Sequence, residues 1–288
     1  VRITTGHVTA TAVLHAGVRA TAAAAVARTL PGGWAAEDVP VAGRPHLQVA
    51  VGPPAVSTAG GVVRVRLPAT AAATATLAYV TYTALERARQ QQQMLTLHGT
   101  ALHAPGGEAV LLLGTKGAGK TTTALALAAR GWLHAGDDLV VLAQQATSGG
   151  LEILPGKPVA AIRDRLRPLD PKPLLDLAPF ATAAAPLTRI VRLAVHPHAP
   201  PALRPATPLS GTERLRLHEG LARYISGLPT PLTGVADTPH SPVWPLDTAA
   251  LARWRTDLLT RLEQHRFDYL TAPDAESAAD LLTKETTP

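Results

Sequence analysis

The chain has 288 residues, 46% of them apolar and 17% charged, with no cysteine, which excludes a disordered chain, disulfides and thiolate metal sites. No apolar run approaches the ~18–20 residues that a membrane-spanning helix requires, and the length suffices for one large or two small cores. The formal charge is +6, but the basic residues are dispersed and only 3% of the chain is aromatic, so nucleotides or acidic substrates suit it better than nucleic acid.

The first 70 residues read as a small β-rich lobe. Val8 to Leu14, Leu47 to Val51 and Val62 to Leu67 have strand character, separated by Pro31-Gly32-Gly33 and Gly60-Gly61. Ala20 to Ala27 is expected as a short helix. The apolar stretch Thr9 to Val18 is broken by His15 and followed by Arg19, a poor match to a secretory signal. Thr70 to Leu95 reads as one long helix with Leu77, Val80 and Leu85 on one side. Glu86-Arg87-Ala88-Arg89 is expected as a solvated turn of it, and Gln90 to Gln93 as an exposed face.

The most informative stretch lies at 98–142. Gly114-Thr115-Lys116-Gly117-Ala118-Gly119-Lys120-Thr121 satisfies G-x-x-x-x-G-K-[ST]. Ala109 to Leu113 before it is a continuous apolar run, expected as a buried strand. Thr122 to Arg130 after it has helical spacing, and Gly131 stands where a helix ends. A strand, a glycine-rich turn and a helix N-terminus aim several backbone N–H groups at one point, where the helix dipole also favours an anion. Residues 114–122 are therefore the expected nucleotide-binding set. Lys120 would reach the β- and γ-phosphates, and the Thr121 hydroxyl would sit on Mg²⁺. A glycine-rich turn without a ligand is the competing reading, and the full pattern with both flanks weighs against it.

Upstream, His98-Gly99, a short apolar segment and the turn Pro105-Gly106-Gly107 predict a β-hairpin feeding the loop. Downstream, Asp137 and Asp138 precede the apolar run Leu139 to Leu142, which is expected as a strand beginning at the acids. Most P-loop ATPases carry the acid after such a run, so the order differs here.

Further along come Leu151 to Leu154, the turn Pro155-Gly156-Lys157-Pro158, and a basic segment with Arg163, Arg165 and Arg167. These cations read either as contacts to phosphate or an acidic substrate, or as a solvated helix start. Pro186 to Val195 is strand-like, Pro197 to Pro208 a proline-rich loop, and Thr212 to Tyr224 a helix. His196 and His198 lack a nearby third ligand and are expected to be surface residues. Five prolines between 226 and 247 predict an extended arm, followed by helices at Leu251 to Phe267 and Ala275 to Leu282.

The order His98-Gly99, hairpin, Gly114 to Thr121, Thr123-Ala124-Leu125, Arg130-Gly131 and Asp137-Asp138 resembles the catalytic core of the HPr kinase/phosphorylase family. It is most similar to the shorter HPr-kinase-like proteins, some of which phosphorylate serine in peptide natural-product precursors. The resemblance covers about 98–225. It implies an α/β fold, with an HPr-kinase-like P-loop core over 71–225, the β-rich N-terminal lobe over 1–70 and a proline-rich arm with C-terminal helices over 226–288. It also implies that one Asp of the pair deprotonates an acceptor hydroxyl and that His98 lies in the catalytic site. The family has a glutamate where this chain has Thr122, and its C-terminal signature for phosphorolysis has no counterpart here.

The expected function is therefore transfer of the γ-phosphoryl group of ATP or GTP, with Mg²⁺, to a hydroxyl acceptor in the cytoplasm, most simply a serine of a peptide or protein. Asp138 is taken as the base and Asp137 as the metal-side carboxylate; the reverse stays open, because adjacent residues of a strand face opposite ways. A small-molecule hydroxyl kinase and a nucleotide-binding interaction protein without turnover are the alternatives. Homo-oligomers are common in the resembled family.

Overall fold

Alternation of apolar and polar residues builds the first sheet of the computed structural model. The model describes residues 2–4, 7, 9–19, 35–37, 43–73, 76–145, 148–162, 173–225 and 246–284. The chain divides into two units, Val1–Leu95 with Glu219–Thr256, and Thr96–His218 with Asp257–Pro288. These boundaries differ from the sequence-based division at 70 and 225, because the segment from 219 to 256 groups with the N-terminal residues.

In the first unit, β1 (Arg2–Thr4), β2 (Thr9–Leu14), β3 (Ala35–Glu37), β4 (Leu47–Val51), β5 (Ala55–Ala59) and β6 (Val62–Leu67) form one sheet in the order β3-β1-β2-β4-β6-β5. In β6, Val63, Val65 and Leu67 are buried and Arg64 and Arg66 exposed, the period-2 pattern of a sheet with one wet face. The helix expected at Thr70 to Leu95 is shorter. A 3-10 turn at Ala71–Ala73 precedes α1 (Thr76–Gln91), and Met94 and Leu95 already belong to strand β7 (Met94–Leu97). Nor is Glu86 to Arg89 a solvated turn, since Glu86, Arg89 and Gln90 are all buried. Gln90 donates to Glu86 Oε1 at 2.9 Å and accepts from Arg255 Nη1 at 2.6 Å, while the Arg89 guanidinium lies 4.9 Å from the Tyr82 ring centroid. These partners let polar groups occupy an interior that their type alone would place in water. The helix expected at Ala20 to Ala27 and the arm at 226–245 lie outside the described residues.

The second unit is a mixed α/β structure around the P-loop strand. Its strands are β8 (Thr100–His103), β9 (Ala109–Leu113), β10 (Leu133–Asp137), β11 (Val140–Gln144), β12 (Leu151–Leu154), β13 (Val159–Ala161), β14 (Leu174–Asp176), β15 (Ala185–Val195), β16 (Ala202–Pro205) and β17 (Arg266–Ala272). The main sheet runs β10-β8-β9-β15-β12-β11-β7, with β17 paired to both β15 and β16; β13 and β14 form a separate hairpin. Strands β9, β15 and β17 are parallel neighbours, and β8 is antiparallel to both β9 and β10. It follows that β9 and β10 point the same way and end at the same edge of the sheet.

Three sequence expectations change here. The proline-rich stretch 197–208 contains β16. Phe267 belongs to β17, because α4 (Ala249–Leu262) stops earlier. The acids do not begin a strand: Asp137 ends β10, Asp138 and Leu139 turn, and β11 starts at Val140. The strand Leu-His-Ala-Gly-Asp carries almost no apolar signal, so only its cross-strand pairing reveals it. Arg163, Arg165 and Arg167 lie outside the described residues.

Helices α2 (Lys120–Ala128) and α5 (Ala275–Lys284), with α3 (Gly211–Ala222) as far as His218, complete the unit. The buried residues Ala124 and Leu127 of α2 and Ala278, Ala279 and Leu282 of α5 share one apolar cluster with Leu112 of β9, Val191 of β15 and Leu270 of β17. Arg130, just after α2, ties the two helices together through Glu276 at 2.9 Å and Asp280 at 2.6 Å. No helix among the described residues is long and apolar enough to cross a membrane.

His134 in β10 is fully buried, and neither ring nitrogen has a hydrogen-bond partner among the described residues. Burial alone pushes its pKa down from the ordinary value, and burial does the same to His103 against a smaller raising hydrogen bond. Below the unfolded-state pKa of about 6.5 the unfolded chain binds protons that the folded chain refuses. Stability should therefore be full above that pH and fall as pH drops toward the folded values, with a slope of up to about 1.4 kcal/mol per pH unit for each proton. Thermal unfolding between pH 7.5 and 5 checks this: His134→Leu should show a shallower loss of Tm than the native chain. Parallel curves would assign the acid sensitivity elsewhere.

Candidate active site

The geometry of the site begins with one row of cross-strand neighbours. Asp137 pairs with Thr100, Thr100 with Leu112 and Leu112 with Val191. Directly opposed residues share a face, so Asp137 and Thr100 stand on the face that Leu112 and Val191 turn toward α2. Leu112 lies two residues before Gly114, where the chain leaves β9 and folds back into the helix. The row therefore delivers a carboxylate to the start of α2. Thr100 Oγ1 donates to Asp137 Oδ1 at 2.6 Å, and Thr121 Oγ1 lies 3.0 Å from Oδ1 and 3.1 Å from Oδ2.

The loop before the helix is tightly seated. Gly119, the residue preceding α2, has φ +89, and a Cβ there would come within 2.7 Å of the Val195 side chain. Only glycine meets both demands. Val195 N also donates to Ala118 O at 3.1 Å, anchoring the loop on the end of β15. Thr115, Lys116 and Gly117 form the exposed tip, and Thr122 Oγ1 donates to Gly119 O at 2.9 Å. The first N–H groups of α2 have no partner within the helix and point toward the loop opening.

Lys120 lies folded back on the loop, with Nζ donating to Gly114 O at 3.0 Å and Thr115 O at 3.1 Å. Burial pushes its pKa below the ordinary lysine value; Asp138 and Asp137 oppose that shift and Arg192 reinforces it. Asp137 moves the other way. Burial raises its pKa and neighbouring Asp138 adds to the rise, against hydrogen bonds from Thr100 and Thr121 and the charge of Lys157. A buried carboxylate with two hydroxyl donors and raised proton affinity gains from a nearby cation. The Thr121 hydroxyl and Asp137 carboxylate are hard oxygen donors suited to Mg²⁺, so this donor set fits the ion together with the phosphates it would accompany.

Asp138 is different. Its side chain is 43% exposed, and its backbone has φ +62, in the left-handed region that costs a non-glycine residue about 1–2 kcal/mol. His98 Nδ1 lies 3.1 Å from Asp138 O. A carbonyl only accepts, so Nδ1 carries the proton. Lys157 Nζ lies 3.3 Å from Asp138 Oδ2 and is itself nearly buried.

The structure thus brings together His98, residues 114–122, Asp137 and Asp138. Sequence reasoning did not find Thr100, although period-2 alternation from buried Leu102 in the hairpin was a usable signal. It also left Lys157 undecided between a substrate contact and a solvated cation. Arg192, paired with fully buried Glu213 of α3, was missed, because its strand reads as apolar and its partner is distant in sequence. His196 and His198 have ring centroids 5.4 Å apart, and no group of three metal-ligating side chains occurs among the described residues.

No protein-family model and no curated protein matches the sequence. Among solved structures, the chain is similar to the Hpr(Ser) kinase/phosphatase from Coxiella burnetii. The sequence identity is 20% over 38% of this chain and 75% of that one, at a TM-score of 0.30.

Removing the Thr100 hydroxyl should loosen Asp137 without touching the loop. Groups that orient a metal ligand typically contribute about 10–100-fold to metal affinity. On the reading proposed below, in which Asp137 holds Mg²⁺ beside bound ATP, Thr100→Val should raise the Mg²⁺ concentration needed for half-maximal ATP binding by about 10-fold, measured by calorimetry across a Mg²⁺ series. An unchanged midpoint would leave Thr100 a packing residue.

Proposed function

We propose that this chain is a P-loop phosphotransferase that moves the γ-phosphoryl group of ATP or GTP to a hydroxyl, read as a serine side chain of a peptide or protein. The observation that carries this reading is the contact of Thr121 with Asp137 at the mouth of the loop, with a second, exposed carboxylate next to it. A nucleotide-binding module without turnover has no use for that second acid, its left-handed backbone or its paired cation.

The roles follow from environment. The loop N–H groups and Lys120 hold the polyphosphate, and Lys120 exchanges its two loop carbonyls for phosphate oxygens as it does so. Mg²⁺ bound by Thr121 and Asp137 would supply charge neutralisation between the phosphates. Asp138, at the exposed lip, accepts the proton of the acceptor hydroxyl. The new O–P bond forms at the γ-phosphorus while the bond to the β-phosphate oxygen breaks and the nucleoside diphosphate leaves. His98 holds the Asp138 backbone in the conformation that aims this carboxylate. Positioning and charge stabilisation are most of what such a transfer needs. Use of a cellular nucleoside triphosphate places the reaction in the cytoplasm.

Three variants test the assignment. Lys120→Ala should fold normally and lose most of the thermal stabilisation that ATP with Mg²⁺ confers on the native chain. An undiminished nucleotide response would remove the loop from the mechanism. Asp138→Asn should leave nucleotide affinity nearly unchanged and cut kcat by about 10²–10⁴-fold, the usual contribution of a general base. Asp137→Asn should instead raise the Mg²⁺ requirement. Near-native turnover of both variants on a serine-containing acceptor would make the pair structural and end the hydroxyl-kinase reading.

A further inference from the structure

The turn Pro155-Gly156-Lys157-Pro158 is laced to the acid pair by its own backbone. Gly156 N donates to Ala135 O at 2.6 Å, Lys157 N to Leu139 O at 3.1 Å, and Asp137 N to Lys157 O at 3.3 Å. These bonds bracket Asp137 and Asp138 from both sides. The approach is so close that a Cβ on Gly156 would lie 2.6 Å from Leu139 O and 3.1 Å from Ala135 O. The two flanking prolines have fixed φ, which stiffens the turn. Its far end is held too, because Leu177 N donates to Pro158 O at 2.9 Å.

From this turn the Lys157 side chain reaches Oδ2 of Asp138 at 3.3 Å. The two partners differ sharply in environment: the Lys157 side chain is 9% exposed and that of Asp138 43%. An exposed ion pair between mobile side chains contributes little. Here the cation is fixed by a buried stem on a stiff turn, and the carboxylate it meets belongs to a residue already held at positive φ by its neighbours. Such an arrangement is suited to setting direction rather than stability.

Resting on the phosphotransfer reading above, we propose that Lys157 is a positioning residue for the base. It fixes Oδ2 of Asp138 and turns Oδ1 toward the acceptor hydroxyl. It also offsets one of the two adjacent negative charges that the polyphosphate must approach. Lys157 acts through Asp138 and does not touch the transferred group. A basic side chain on this turn is thus needed for turnover and dispensable for nucleotide binding.

A double-mutant cycle on the full chain tests this, with Mg²⁺·ATP and water as acceptor, following release of labelled phosphate. Lys157→Met keeps the length and apolar stem of the side chain, and it leaves Asp138 hydrated rather than buried, so folding is preserved; thermal unfolding verifies that. We expect Lys157→Met to lower kcat by about 10–100-fold, the scale of a misplaced catalytic group, with the ATP dissociation constant within about 2-fold of native. Lys157→Arg should recover part of the loss. In the Asp138→Asn background the same Lys157→Met change should cost less than about 2-fold, because a residue that acts through Asp138 has nothing left to position.

An equally large loss in that background would overturn the proposal and make Lys157 a phosphate ligand. A native rate for Lys157→Met overturns it as well. If the native chain binds no ATP, or binds it yet passes the label neither to water nor to the serines of an added peptide pool, the phosphotransfer reading fails first and this inference falls with it. That result is distinct from the other two, because it is seen before any Lys157 variant is made.

Discussion

The bond between Thr121 and Asp137 joins the two halves of the site, and the rest of the arrangement depends on it. Thr121 lies in the first turn of the loop helix, and Asp137 closes a strand two positions across the sheet from the loop strand. Neither residue is placed by local sequence alone. Three strands must pair in register for the carboxylate to arrive beside the hydroxyl, and a slip of one residue would send it to the opposite face. Thr100, in the strand between them, sits in the same row and bonds the same carboxylate. A register error would thus strand a buried acid without donors, which disfavours the wrong pairing strongly.

The two adjacent acids end in unlike surroundings although they share a charge and a turn. Asp137 is enclosed, supplied with hydroxyl donors and pushed toward holding a proton. Asp138 faces water and a fixed ammonium. On the proposed reading, this divergence of environment separates a metal-side ligand from a proton acceptor. A second pair of opposite charges joins Arg192, on the strand that supports the loop, to buried Glu213 of α3. There α3 starts with Ser210 Oγ accepting from Glu213 N at 3.2 Å, so helix start and ion pair are set by the same residue.

The loop was legible in the sequence because its chemistry requires specific residues at fixed spacing, and its two flanking elements have strong periodicity of their own. The hairpin from Thr100 to Leu113 was legible for a similar reason, with a turn signal between two apolar runs. Strand β10 was not. Its residues Leu133, His134, Ala135, Gly136 and Asp137 carry no alternation, and its stability comes from neighbours on β8 and from the 179–181 segment. Thr100 and Lys157 were hard to read because each meets its acid across a separation of 37 or 19 residues, beyond any local pattern. The buried polar cluster of Glu86, Arg89 and Gln90 misled for the opposite reason: composition put it in water, and partners such as Arg255, more than a hundred residues later, put it inside.

The sheet has a further consequence for how the site comes into being. The loop rests on the end of β15, and β15 has β17 (Arg266–Ala272) along its other side, with α5 covering α2 beyond it. During synthesis the glycine-rich loop therefore emerges long before the residues that complete its platform. Until Arg266 to Lys284 have left the ribosome, β15 presents an unpaired edge and the apolar side of α2 lacks α5. The platform of the loop is a late acquisition of the growing chain, and a product cut before Arg266 carries the whole motif without a floor to hold it.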